Sequence, residues 1–409
     1  MDSLTQITLG AAVGEMVLGR KAGNRAMLWG AIGGTLPDID VLAGLGSDEI
    51  SSLAFHRGIT HSLTFAVLVP PALGWLIHRL YAPENRLWAP GIWKEFARIG
   101  VFMFVLLMVG AKVLPIPWVE SVSIAFYVGF GMLFFPAFIF VREKLRRRQN
   151  SYPEISWKEW SWLLFWAIIT HPLLDGCTTF GTQLFQPFSD YRVAWNNISV
   201  VDPAYTLPFL ICVIAAARFT RDAAWRHRIN YLGIGLSLAY MLFTFFNLYK
   251  VEKIYAASLQ KQGISYERLM VSPTIFNNIL WHGVAETDSA LYIGSYSLYD
   301  QQREVRDFRA IPKQHGLLRG HSDDRDIAVL RWFSKGYFSV GEGKEGHLIW
   351  SDWRYGSFSG YDKPPASVFT YSLIPQNGEL KARQSEPEIE DAKAALQQFW
   401  QRLKGETQR

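Results

Sequence analysis

The chain has 409 residues, long enough for two domains, and its net charge of +5 is spread over connections and tail with no basic nucleic-acid motif. Cys177 and Cys212 are its only cysteines, which excludes a disulfide framework or a thiolate zinc site. A mean hydropathy of +0.06 conceals two unlike parts, long apolar runs in residues 1–249 and a charged, ordinary-looking chain in 250–409.

No cleavable leader is expected, because Met1-Asp2-Ser3 opens without a basic segment and Glu15 interrupts the first apolar stretch. Eight helical segments are predicted, at about 6–19, 25–37, 59–80, 98–115, 117–141, 160–175, 204–219 and 229–249. The first two are short and rich in Gly and Ala, as half-spans or tightly packed helices are. Runs such as "VFMFVLLMVG", "SIAFYVGFGMLFFPAFIFV" and "YLGIGLSLAYMLFTFFNLY" reach or approach the roughly 20 apolar residues that cross a bilayer. The competing interpretation is a soluble protein with several buried helices.

Beyond residue 250, "ALYIGSYSLYD", "KGYFSVGE", "GHLIWSDWRYG" and "SVFTYSLI" alternate like aromatic-rich antiparallel strands. "SEPEIEDAKAALQQFWQRLKG" reads as a helix after Pro387, and "FNNILWHG" suggests Trp281 at a membrane surface. "RGHSDD" offers His321, Asp323 and Asp324 as a second metal site, although a solvated turn is the stronger reading. The expected fold is mainly α: a polytopic helical membrane domain of about eight segments over 1–249, then a smaller extramembrane α+β domain over 250–409.

Basic residues set the expected orientation. Of the 20 Lys and Arg before position 250, all but Arg57, Lys112 and Arg192 fall in alternate connections, leaving 17 to face the cytoplasm. The loops at 38–58 and 176–203 and the C-terminal domain then face outward, to the periplasm of a Gram-negative cell. "DSLTQ", "LPDID", "HRGITHS" and "HPLLD" all fall at outward helix ends.

These motifs carry candidate chemistry. His171 and Asp175 are i and i+4, so they project from one helical face as a ligand pair for Zn²⁺ or a related divalent ion; a hydrogen-bonded pair has the same spacing. Asp38 and Asp40 come just after Pro37 and can converge on one cation, bridge two, or simply cap the next segment. His56 and His61 are five apart, about 140° on one helix, so they meet only through a turn at Gly58. Taken singly, they also read as interfacial histidines beside a solvated Arg57. Together, three histidines and three aspartates on one membrane face suit one or two metal ions that activate water. Arg57 is then a candidate to hold a phosphate or oxyanion, and Asp40 is a candidate general base.

At "DSLTQ…LGAAVGE", "GTLPDID", "HRGITHS" and "HPLLDGCTTFGTQLFQPF" the chain resembles the LexA-binding, inner-membrane-associated metal-dependent hydrolases. The resemblance spans 1–249 and continues into "SPTIFNNILW". That family is distantly similar to zinc-dependent phospholipases C, which implies Asp38 or Asp40, His56, His61, His171 and Asp175 as ligands and a phosphate ester as substrate. Many members have Thr-His near the start, where this chain has Thr5-Gln6; the site then has one ligand fewer, or Asp2 or Glu15 substitutes. Glu15 lies nine residues after Gln6, and a buried arginine is an alternative partner for it. The family name invokes LexA, a cytoplasmic protein, while this topology leaves only short basic loops on that side.

The expected function is hydrolysis of a phosphate ester such as a phospholipid by an inner-membrane enzyme, with the lipid bilayer as partner and no nucleic acid. The alternatives are a transporter or metal-binding protein using the same ligands, and a non-catalytic membrane regulator.

Overall fold

The computed structural model describes residues 1–81, 153–343, 346–357, 366–385 and 392–405. The helices expected at 98–115 and 117–141 lie outside the described residues, as do Arg86, Lys94, Arg98, Lys112 and the basic run at 142–148. The chain divides into two compact units. The first is Met1–Gly176, Phe180–Ala194 and Ala204–Ala239; the second is Cys177–Thr179, Trp195–Pro203 and Tyr240–Arg409.

In the first unit, Asp2 caps α1 (Ser3–Ala22) by accepting the Thr5 N–H. Gly23, at φ +56°, turns the chain into α2 (Asn24–Thr35). The two helices touch backbone to backbone: a Cβ on Gly14 would lie 2.1 Å from the Ala26 carbonyl oxygen, and one on Gly30 would lie 2.2 Å from that of Gly10. Only glycine allows this approach. A 3₁₀ segment (Leu36–Gly46) carries "LPDID", and α3 (Glu49–Phe55) comes next under an Asp48 cap. A 3₁₀ turn, Ile59–His61, precedes α4 (Leu63–Tyr81). α5 (Trp157–Asp175) starts with a reciprocal Ser156–Glu159 capping box and buries Trp160, Leu163, Leu164 and Ile168 against Leu18, Ala22, Ala26, Val69 and Ile77. Among the described residues, α6 (Pro203–Ala217) and α7 (Ala224–Lys261) are the remaining helices up to residue 261.

The helices predicted within the described residues do form, but the expectation of about eight membrane segments is corrected. Among the described residues only α4, at 19 residues, and α7, at 38, are long and apolar enough to cross a bilayer. α6 is apolar but spans 15 residues, about 22 Å at 1.5 Å per residue. α1 is interrupted by Thr5, Gln6, Thr8 and Glu15, and α5 carries Lys158, Glu159, His171 and Asp175. Helix formation and bilayer crossing are separate properties, and apolar runs alone conflated them.

The second unit is β-rich. β1 (Arg268–Pro273), β2 (Leu280–Glu286), β3 (Ala290–Ser297) and β4 (Arg309–Pro312) form one antiparallel meander. β5 (Phe338–Glu342), β6 (Leu348–Ser357), β7 (Ser367–Gln376) and β8 (Glu379–Ser385) form a second. The four aromatic-rich runs became β3, β5, β6 and β7, divided between the two sheets. α8 (Arg325–Phe333) precedes β5, and α9 (Ala392–Leu403) is the expected C-terminal helix. The far end of α7 seats Val251, Ile254 and Tyr255 on the first sheet beside Val271, Trp281 and Tyr296. Gly283 makes room, since its Cβ would lie 2.1 Å from the Tyr255 ring. Trp281 is therefore fully buried core, which corrects its expected place at a membrane surface.

Candidate metal centre

Asp38, His61, His171 and Asp175 converge, each offering one ligand atom within 4.8 Å of the others, and the cluster could hold a metal ion. His61 Nε2 lies 3.4 Å from Asp38 Oδ1 and 3.3 Å from Asp175 Oδ2. His171 Nε2 lies 3.3 Å from Asp38 Oδ1 and 3.4 Å from Asp175 Oδ2, and the two Nε2 atoms are 3.1 Å apart. Bonds of about 2.0–2.1 Å to a tetrahedral ion give ligand–ligand edges of about 3.3–3.4 Å. Five of the six edges thus come close to that figure.

The four donors are aimed by three elements. His171 and Asp175 sit one turn apart at the end of α5, as their spacing predicts. Asp38 comes from the 3₁₀ segment and His61 from the turn before α4. The two rings are oriented from behind. His171 Nδ1 donates to the Gly34 carbonyl, and His61 Nδ1 faces Asp40 Oδ2 at 3.3 Å. Both rings therefore carry their proton on Nδ1 and point an Nε2 lone pair into the cluster.

Asp40 and His56, expected as ligands, stand outside this group of four. Asp40 also accepts from the Arg57 N–H at 2.8 Å and the Thr60 hydroxyl at 3.3 Å, with His56 Nδ1 at 3.1 Å. A 3₁₀ turn that faces His61 Nε2 to Asp38 leaves its Nδ1 side for Asp40. The turn between the histidines is real, but the left-handed residue is Arg57, at φ +58°. Gly58 is required beside it because a Cβ would lie 2.7 Å from the Phe55 carbonyl oxygen. The rings of His56 and His61 end 6.0 Å apart, edge to face.

Arg57 is buried, with Nε 3.1 Å from Asp175 Oδ2 and its guanidinium carbon 4.8 Å from the centre of the Phe180 ring. Its charge is thereby directed at Asp175. The other Asp175 oxygen accepts from Gln6 Nε2 at 3.0 Å and pairs with the Met1 α-amino group. Gln6 is fully buried, and its Oε1 has no hydrogen-bond partner among the described residues. Neither Asp2 nor Glu15 takes its place: Asp2 caps α1, and Glu15 is bound by Arg226 at 2.8 Å and faces His227 at 3.1 Å.

Electrostatics suit a cation. Burial alone would raise the Asp38 carboxyl, but bonding to His171 and His61 holds it below the usual carboxylate range. Asp40 is likewise held low against its burial by the charge of His61 and bonding to His56. Burial would lower His61, yet Asp40 and bonding to Asp175, Asp38 and Asp40 push it up to about 10. The same field favours a positive charge at the cluster, whether the proton on His61 or a metal ion the four residues could hold.

Sequence reasoning missed the supports. Gln183 donates its N–H to the Arg57 carbonyl at 3.0 Å and its side-chain amide to that of Ala54 at 3.1 Å, locking the turn. It lies within "GTQLFQPF", where only its place inside the shared motif hinted at a role. "RGHSDD" is a turn: His321 Nδ1 bonds Asp324 Oδ2 at 2.8 Å, and the same oxygen accepts the Leu380 N–H at 2.7 Å.

A family model described as YdjM inner membrane protein matches residues 1–253. No curated protein and no solved structure matches the chain.

Proposed function

The chain belongs to the YdjM inner membrane protein family, and from that membership and the His/Asp centre we propose a membrane-bound metal-dependent hydrolase acting on a phosphate ester such as a phospholipid. The observation that carries this reading is the near-tetrahedral set of edges among Asp38, His61, His171 and Asp175. Two imidazoles and two carboxylates suit zinc. One ion is favoured over two, because Asp40 and His56 turn toward each other behind His61.

When bound, the ion would supply a Lewis acid and a water of lowered pKa. The protein's part is set by burial. Asp38 has a side chain 19% exposed while His61, His171 and Asp175 are sealed, so water and substrate approach past Asp38. Asp38 is thus the one ligand of the four that meets solvent. Asp40, with its oxygens committed, orients His61 instead, and Arg57 holds Asp175 rather than the substrate. The outward orientation is supported by α4, which begins beside His61 and ends in Arg79.

A second reading, a structural metal centre, is favoured by the closed set of four ligands, since catalytic sites usually leave one position open.

The test is metal analysis of purified wild type, His61→Ala and His171→Ala, alongside hydrolysis of a phospholipid panel. One ion per wild-type chain, lost in both variants together with hydrolysis, is expected. Full metal without hydrolysis assigns the structural reading; unchanged metal in both variants removes the centre altogether.

A further inference from the structure

We infer that the turn at 274–279, between β1 and β2, is a bilayer anchor whose Ile275 and Phe276 side chains enter the headgroup–acyl boundary at the Tyr249 end of α7. Both are large and apolar, yet 49% and 56% exposed on a loop tip. The tip is rigid rather than frayed. Asn277 Oδ1 accepts the N–H groups of Ile279 and Leu280 at 2.8 and 2.7 Å, and its amide donates to Thr274 Oγ1 and the Ile275 carbonyl. Phe276 is held at φ +69°, a left-handed conformation uncommon for an aromatic residue. A protein that spends backbone strain to display a phenylalanine needs a surface to receive it.

The second unit identifies that surface. Leu242, Phe246 and Tyr249 form an exposed apolar stripe at helical spacing on α7, one of the two helices among the described residues that are long and apolar enough to cross a bilayer. Lys250 and Lys253 come where the apolar run ends, with Lys253 Nζ 4.2 Å from the centre of the Tyr249 ring. Aromatic rings and cations in this order mark a membrane–water boundary. The turn is pinned at that level. Asn247 of α7 donates to Asn278 at 2.8 Å, Asn278 donates to the Asn197 carbonyl at 2.8 Å, and the Phe276 N–H donates to Val201 at 3.0 Å. Trp195, also exposed, stands 6.3 Å from Phe245 on the same helix. The loop tip thus continues a lipid-facing surface, and lipid is the occupant it fits.

Ile275→Cys and Phe276→Cys, each made with Cys177 and Cys212 replaced by alanine, carry a nitroxide in the full chain reconstituted into phosphatidylethanolamine–phosphatidylglycerol vesicles. Tyr299→Cys, at a position 62% exposed in the same unit, is the reference. Because residue 276 has a left-handed backbone, position 275 decides the test if the 276 variant misfolds. Oxygen collisions exceeding nickel-chelate collisions at 275 and 276, with the reverse at 299, are expected. Nickel accessibility equal to that at 299 overturns the anchor; protection from both reagents also overturns it and points to a covering protein.

Discussion

The Nε2 atoms of His61 and His171 face each other at 3.1 Å, and both Nδ1 protons are already committed, to Asp40 and to the Gly34 carbonyl. Two neutral rings would bring lone pairs together, so a cation between them is favoured. With His61 raised to about 10 in the metal-free state, that cation at pH 7 is a proton. Metal binding is therefore expected to release about one proton, with affinity rising about tenfold per pH unit until His61 deprotonates. Calorimetry of zinc binding in buffers of different ionisation enthalpy measures this directly, and a release of zero would contradict it.

Removing a support should weaken the metal without removing a ligand. Asp40→Asn leaves His61 in place but loses its charged partner, and Gln6→Leu deprives Asp175 of a donor. Each is expected to lower zinc affinity about 10–100-fold. Competition with a chelating dye, beside circular dichroism to confirm folding, separates this from collapse.

Helix contact reaches the centre through Gly34, whose missing Cβ would sit 2.7 Å from the Gln6 carbonyl oxygen. Gly14→Ala or Gly30→Ala should force α1 from α2 at a cost of about 1–3 kcal/mol and displace both residues that support the ligands. Gly235→Ala, with nothing within 4 Å of the added carbon, should be neutral or slightly stabilising. Thermal unfolding and metal content are the readouts; equal effects at the three positions would refute the close-packing account.

The C-terminal sheets carry a separate acid sensitivity. His282 is buried with Nε2 donating to the Trp353 carbonyl at 2.9 Å, and burial lowers it to about 4 despite that bond. The unfolded state then binds more protons between about pH 6.5 and 4, so stability falls as pH drops through that window, by at most about 3 kcal/mol. His282→Asn should flatten the slope, as read from proteolytic susceptibility of the β-rich part of the full chain across that range. An unchanged slope would place the acid sensitivity elsewhere.

The α5 pair was legible because an i,i+4 spacing fixes geometry within one helix, and the strands were legible because alternation reports one buried face. The partition of the remaining motif residues was not. Asp38 and Asp40 differ only in which side of His61 they reach, and that depends on a 3₁₀ path with no local signature. Gln6 read as a missing ligand, whereas the fold uses its amide to hold Asp175. Membrane crossing was overcounted because apolar composition also serves helices that bury their faces on one another, as α1, α2 and α5 do.

The uneven sealing of the centre also has a kinetic meaning. With three donors sealed and only Asp38 reaching solvent, an ion held there would have to leave past Asp38. Loss of metal to a strong chelator should then proceed at a rate independent of chelator concentration, set by the protein's own opening. The occupant would be chosen largely by which ion is at hand while the chain folds.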